Sequence, residues 1–187
     1  MTPQFSQQDF LFLSLDVSNG AGVERALYFN VCHKLEKLVE GKFESPSAVG
    51  GAIGEPDIVF HSQGTLLLVI EVKTRGLLPR VDSLANKFNE DIEVIKQDCV
   101  PVQSTISPIG QIFGYLSHNK LQFGVLTTYQ QTWFLRRDRS KLYVSPTIDY
   151  NNQSPTLLQC YFWIIKQATQ EPLNETAQPV LPLSPQQ

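Results

Sequence analysis

The sequence is short of several things, and each shortage removes a class of protein. Its three cysteines, Cys32, Cys99 and Cys160, are odd in number and scattered, which fits a reducing compartment better than a disulfide framework. No Cys/His spacing resembles a zinc site. No apolar stretch approaches the ~20 residues of a membrane span. The brief apolar run at 10–15 has no basic region before it and no small-residue cleavage site after it. Neither a signal peptide nor a transmembrane segment is expected, and the setting reads as intracellular, cytoplasmic or nuclear. Basic charge is also scarce, with 15 Lys and Arg against 18 Asp and Glu for a net charge of −3. That balance argues against a purely electrostatic clamp on nucleic acid. It weighs less against an enzyme, because an acidic metal site lowers the formal count and a bound cation reverses the local sign. There is no Gly-x-Ser-x-Gly, and His33, His61 and His118 accompany no placed nucleophile, so a serine hydrolase is not indicated. No Gly-x-x-x-x-Gly-Lys-Ser/Thr loop is present to cradle a nucleotide.

What remains is a chain of 187 residues with 42% hydrophobic and 18% charged side chains. It is long enough for one domain with a proper core, expected over 1–169. The prolines at 172, 179, 182 and 185 mark 170–187 as a flexible tail that reads like a linker, of the kind expected before a second domain in a longer parent protein.

The most informative stretch is 55–73. Two apolar runs flank Ser62-Gln63-Gly64, which reads as a β-hairpin. Asp57 and Glu71 lie at equal distance either side of Gly64. A turn centred there sets the two carboxylates opposite each other, with Cβ atoms roughly 5 Å apart. Side chains alternate along a strand, so Lys73 shares the face of Glu71, while Ile70 and Val72 point the other way. The unbroken apolar run 66–70 predicts a strand covered on both faces. Two carboxylates facing each other at its end repel, and burying either one unpaired is costly. A divalent cation resolves both problems, and oxygen ligands from Asp57 and Glu71 suit Mg²⁺ at about 2.0–2.1 Å. The plainer alternative is a Lys73 ion pair at a strand end beside a turn aspartate.

Pro56-Asp57, followed by Glu71-Val72-Lys73 at the end of an apolar strand, resembles the PD-(D/E)XK nuclease superfamily, which includes restriction endonucleases. The resemblance implies an α/β fold with a restriction-endonuclease-like core. In that core a central mixed β-sheet is flanked by helices in the order α-β-β-β-α-β, here with an added C-terminal hairpin and helix. It also implies a Mg²⁺-dependent nuclease, Mn²⁺ substituting, that hydrolyses phosphodiester bonds of nucleic acid, DNA rather than RNA, and leaves a 5′-phosphate. Asp57, Glu71 and the backbone carbonyl of Val72 would hold metal, and Lys73 would serve catalysis. A catalytically silent nuclease-fold module within a multidomain protein is the alternative.

Elsewhere the chain supplies context. A helix is predicted over 23–39, with Val23, Leu27, Val31, Leu35 and Leu38 on its inward stripe. Glu24 falls inside that stripe. The helix dipole alone could account for it, and in the resembling family a first-helix glutamate often joins the metal and catalytic site. Gly20-Ala21-Gly22 starts a dinucleotide fingerprint that fails at Arg25. A short first strand is expected near 47–53, and a helix over 83–97 capped by Asp82 or Ser83. Nothing in that second segment carries specific chemistry. Ser107-Pro108 predicts the N-terminus of a helix to His118, with Ile109, Ile112, Phe113 and Leu116 buried. Gln111 and Tyr115 share another face beside Gly110 and Gly114. They read either as solvent-facing residues or, since Gln-x-x-x-Tyr resembles a motif of the recombination and repair exonuclease branch, as substrate-binding. Strands are expected over 121–128 and 132–137 with a third from Lys141. Arg136 and Arg137 begin the densest basic run, which is either a phosphate contact or an exposed hairpin rim. Ser154-Pro155 opens a last helix over 156–168. It is apolar nearly all round, so it should pack deeply or meet a partner domain or a second copy of the chain.

Overall fold

The computed structural model describes residues 17–49, 52–97 and 104–170. The apolar run 10–15, Cys99 and the tail from 171 lie outside the described residues. Among the described residues no helix is long and apolar enough to cross a membrane.

The first helix begins at α1 (Gly20–Leu27), where the Asn19 side chain accepts from the Gly22 amide at 2.9 Å. It continues through a π-helical stretch, Tyr28–Cys32, into α2 (His33–Leu35). The sequence accounts for the π-turn. Val23, Leu27, Val31 and Leu35 recur every four residues, a spacing that drifts about 40° per step around an α-helix. The wider i→i+5 turn takes up that drift, and all four are buried. Leu38, expected on the same stripe, is 45% exposed because the helix ends at Leu35.

Three strands follow: β1 (Lys42–Glu44), β2 (Ile58–Ser62) and β3 (Thr65–Val72). The first strand does not lie at 47–53. Pro46 opens a 3-10 turn (Pro46–Ala48), Ala52 and Ile53 are non-strand, and 50–51 lie outside the described residues. The chain then forms α3 (Leu84–Lys96), α4 (Ile106–His118), β4 (Phe123–Thr127), β5 (Gln131–Asp138), β6 (Lys141–Val144), β7 (Ile148–Asp149) and α5 (Leu157–Gln170). Of the two expected caps, Asp82 and Ser83, it is Ser83 that caps α3, accepting from the Asn86 amide. α4 starts two residues before the predicted Pro108 N1 position. The reason is tertiary: the Asp91 carboxylate accepts the amide and hydroxyl of Thr105 at 2.7 Å each and so satisfies the start of the helix. α5 opens with a capping box, Thr156 and Gln159 bonding each other's amides.

The seven strands make one mixed sheet in the order β1-β2-β3-β4-β5-β6, with β7 sharing the outer edge of β5. Among the described residues only β3 and β4 pair in parallel, with α3 and α4 between them in the chain. Helices cover both faces. α1, α2 and α5 pack on Phe60, Leu68, Ile70, Val72, Val125 and Phe134, while α3 and α4 pack on Val59, Val69, Leu126, Trp133 and Leu135. Each fully buried large apolar side chain contributes about 1.5–3 kcal/mol, which explains why β3 can be apolar on both sides. α5 packs deeply through Leu157, Leu158, Tyr161, Ile164 and Ile165 but leaves Trp163 59% exposed. The fold is therefore a mixed α/β sandwich of helix, sheet and helix layers.

Candidate active site

The hairpin turn is two residues, Gln63 and Gly64, with φ of 50° and 76°, the type I′ geometry that matches strand twist. Its centre lies between those residues rather than on Gly64. The half-residue difference is corrected inside the strands. Ser62 pairs Thr65 and His61 pairs Leu66, but Phe60 pairs Leu68, so Leu67 is an extra residue in a β-bulge. Past the bulge Ile58 faces Ile70, and one further step sets Asp57 across from Glu71. Glu71 and Lys73 share the face of Val69, toward α4, while Ile70 and Val72 face α1 and α5.

Glu71 is the next-to-last residue of β3, inside its buried part. It is 2% exposed, and one carboxylate oxygen is paired with the Lys73 ammonium. Its other oxygen, Oε2, is buried with no hydrogen-bond partner. Burial raises the Glu71 pKa; Asp57 and Glu24 push it the same way, and Lys73 opposes them. Glu24, on α1, is likewise raised by burial and by Asp57. Three carboxylates are thus electrostatically coupled at one end of β3. Asp57 Oδ2 accepts from the Val72 amide at 2.6 Å. Because N–H and C=O of one strand residue point to the same side, the Val72 carbonyl also faces Asp57. The Lys73 amide donates to Thr127 at 2.9 Å, which anchors the lysine to β4, the parallel neighbour. The cluster therefore lies at the carboxyl ends of the two parallel strands, where open α/β sheets bind ligands.

A hard divalent cation fits these residues: all the donors are oxygens, one of them buried and unpartnered. Among the described residues no three His, Cys, Asp or Glu side chains form a ready-made cage.

The loop that delivers Asp57 is held by α4. The Tyr115 hydroxyl donates to the Glu55 carbonyl at 3.1 Å and accepts from Gln111 at 3.3 Å. Its ring lies against Gly54, whose φ is +88°. Burial, followed by the Glu71 charge, raises the Tyr115 pKa and keeps the phenol protonated. Asn119, one turn further on, holds both backbone groups of Ile53, accepting its amide at 2.6 Å and donating to its carbonyl at 2.8 Å. Gln111 is exposed, and space is open beside Gly110 and Gly114.

Arg136 and Arg137 are not brought to this cluster. Glu71 is level with Leu126 on β4, whereas Arg136 is level with Phe123, about 10 Å toward the other end of the sheet. Arg136 is exposed, and its guanidinium lies 3.1 and 3.2 Å from the Gln122 side-chain amide, whose oxygen accepts from it once that amide is turned over. Arg137 is buried and bonds the carbonyls of Leu121 and Arg139.

Sequence reasoning passed over three residues. Asn119 extends the Gln111, Tyr115 spacing by another four, and that repeat was the available signal. Asp91, fully buried on α3, binds Lys87 and Thr105; an i,i+4 Lys-Asp pair beside an apolar stripe was its signal. Asn30, buried in the π-helical stretch, donates to the Tyr129 hydroxyl at 2.8 Å and fastens the helix bearing Glu24 to the β4–β5 turn. No spacing in the sequence points to that contact.

No family model matches the chain, and no curated protein matches it. Among solved structures it is similar to the type IIG restriction endonuclease BpuSI, at 19% identity and a TM-score of 0.40. The match covers 81% of this chain and 16% of that one, so the chain spans about a sixth of that enzyme's length.

Proposed function

We propose that the chain is a metal-dependent nuclease of the PD-(D/E)XK type, hydrolysing phosphodiester bonds of nucleic acid, DNA rather than RNA. The observation that carries this reading is Glu71: a buried carboxylate at a strand end with Lys73 on one oxygen and the other unpartnered, electrostatically coupled to Asp57 and Glu24. Its order of one helix, three strands, a crossover and a parallel strand is compatible with a restriction-endonuclease-like core.

Asp57, Glu71 and the Val72 carbonyl would hold Mg²⁺, with Glu24 in support. When bound, the ion polarises the scissile phosphate and lowers the pKa of a bound water. Lys73, partly exposed beside Glu71, is placed to orient the attacking water and to offset the charge that builds on the phosphate. Glu71 must release its proton before it can ligate, so its raised pKa ties activity to pH. Gln111 offers an exposed amide to a substrate strand across the open surface at Gly110 and Gly114. Tyr115 spends its hydroxyl on Glu55 and acts behind it.

A second reading is a silent nuclease-fold module of a larger protein. What favours it is the placement of Arg136 and Arg137 away from the acidic cluster, on a chain of net charge −3.

One experiment separates the two readings. Supercoiled plasmid and a labelled single strand are incubated with Mg²⁺, Mn²⁺ or EDTA, using wild type and Lys73→Ala. Metal-dependent cutting that disappears in the variant supports the nuclease. Equal cutting by the variant, or none by folded wild type with Mn²⁺, overturns it.

A further inference from the structure

Gln111, Tyr115 and Asn119 repeat at four-residue spacing on α4, so they form one row along a helix face. The last two hold the segment that leads into Asp57. Asn119 bonds both the amide and the carbonyl of Ile53, as a neighbouring strand would, in a segment that is not itself a strand. Tyr115 bonds Glu55 and its ring covers Gly54. Ile53 is more than half exposed, so these polar bonds, rather than apolar burial, fix its place. Two residues beyond Glu55, Asp57 bonds the Val72 amide.

Asn119 has an obvious structural duty, since it ends α4 and its side chain also bonds the Tyr115 carbonyl at 2.9 Å. The backbone already caps that end, however. Leu121 donates to the Leu116 carbonyl at 2.8 Å, and Lys120 to Ser117 at 3.3 Å, with Lys120 at φ 54°. That is a complete Schellman motif. The Asn119 amide group is not needed to close the helix.

The geometry points to Asn119 as a positioning residue that, with Tyr115, clasps residues 53–55 to α4 and so fixes the Asp57 carboxylate opposite Glu71. The inference rests on the proposed metal site and assigns its loop a rigid mounting. Outer contacts of this kind typically change metal affinity by about ten-fold or more.

The test uses the full chain, with Mn²⁺ binding read by calorimetry, amide exchange of Ile53 by NMR, and Tm. Asn119→Ala should weaken Mn²⁺ binding about ten-fold and accelerate exchange at Ile53. Asn119→Ala/Lys120→Gly replaces the left-handed lysine by the residue that favours that conformation, so it should regain Tm without regaining Mn²⁺ affinity. Recovery of affinity together with Tm would mean that Asn119 acts only through helix stability, and would overturn the proposal. Unchanged Ile53 exchange in Asn119→Ala would overturn it as well. If wild type binds no Mn²⁺, the metal reading fails by itself, and the clasp stands or falls on Ile53 exchange alone.

Discussion

Replacing Asp91 by alanine should destabilise the protein more than any other single change at a polar residue of α3. The carboxylate is 0% exposed and accepts three bonds: from the Thr105 amide and hydroxyl at 2.7 Å each and from Lys87 at 2.5 Å. Bonds to a charged group are worth about 1.5–3 kcal/mol each. They share one acceptor group, so simple addition overstates the loss. Removing one member of a buried ion pair costs about 3–5 kcal/mol, largely because the other is left uncompensated. Here Lys87 and two donors at the start of α4 are orphaned together, and about 3–5 kcal/mol is the expected loss. Against a total stability of about 5–15 kcal/mol this is a large share. At about 2–4 °C per kcal/mol, Tm falls by roughly 10 °C. Asp91→Asn keeps the shape and one acceptor toward Thr105, so it should cost about half as much.

The charge gives a second signature of the same residue. Burial by itself would raise the Asp91 pKa, but the bonds from Lys87 and Thr105 outweigh it and hold it below the ordinary range. A depressed carboxyl contributes stability above its unfolded pKa and loses it as pH falls through the folded value. Wild type should therefore approach Asp91→Ala in stability as the solution is acidified. Urea unfolding, followed by fluorescence of the buried Trp133, measures all three proteins. A change under about 0.5 kcal/mol for Asp91→Ala, the range of an ordinary surface substitution, would refute the clamp.

Glu71 should behave in the opposite sense. Its pKa is raised by burial, so its contribution in EDTA is full below the ordinary carboxylate value and is lost as pH rises through the folded value. Stabilisation by Mn²⁺ should grow over that same window, because the proton and the ion compete for the carboxylate. Parallel denaturation curves with and without metal test this, and curves that keep a constant separation would contradict it. Gly54→Ala places a Cβ 2.7 Å from the Tyr115 ring at a φ of +88°. It should cost about 1–3 kcal/mol and weaken Mn²⁺ binding; an unchanged Tm would refute the contact. Arg137→Ala removes one buried and one part-buried bond to carbonyls at the far end of the sheet. It should lower Tm by several degrees while leaving Mn²⁺ affinity intact, whereas a selective loss of metal affinity would return Arg137 to the site.

The elements that the sequence revealed are those whose cause is local. The two apolar runs flanking Ser62-Gln63-Gly64, the cap at Asp82 or Ser83 and the i,i+4 stripe of Val23, Leu27, Val31 and Leu35 are read directly from neighbours in the chain. So was the meeting of Asp57 with Glu71, although the count that predicted it missed both the two-residue turn and the bulge at Leu67. What stayed hidden depends on contacts between distant residues. The early start of α4 is set by Asp91, 14 positions away from Thr105. The hold on Ile53 comes from Asn119, 66 positions on. The two arginines left a phosphate contact and a hairpin rim both open, because nothing in a basic run tells which end of a strand it will occupy. The π-turn was legible only as an over-long repeat, and its tie to Tyr129 not at all.

The hairpin also bears on how this chain can vary. Its tight turn and its bulge act like two compensating frameshifts in a message: either one alone would put every residue before it out of phase, and together they restore the reading. The spacing between Asp57 and Glu71 is then not a fixed quantity. A chain with the same two-residue turn but without Leu67 has no bulge, and it would set the same two carboxylates face to face with one residue fewer between them. Searches that demand a set interval between the aspartate and the glutamate will pass over chains that spell the same arrangement with a different number of letters.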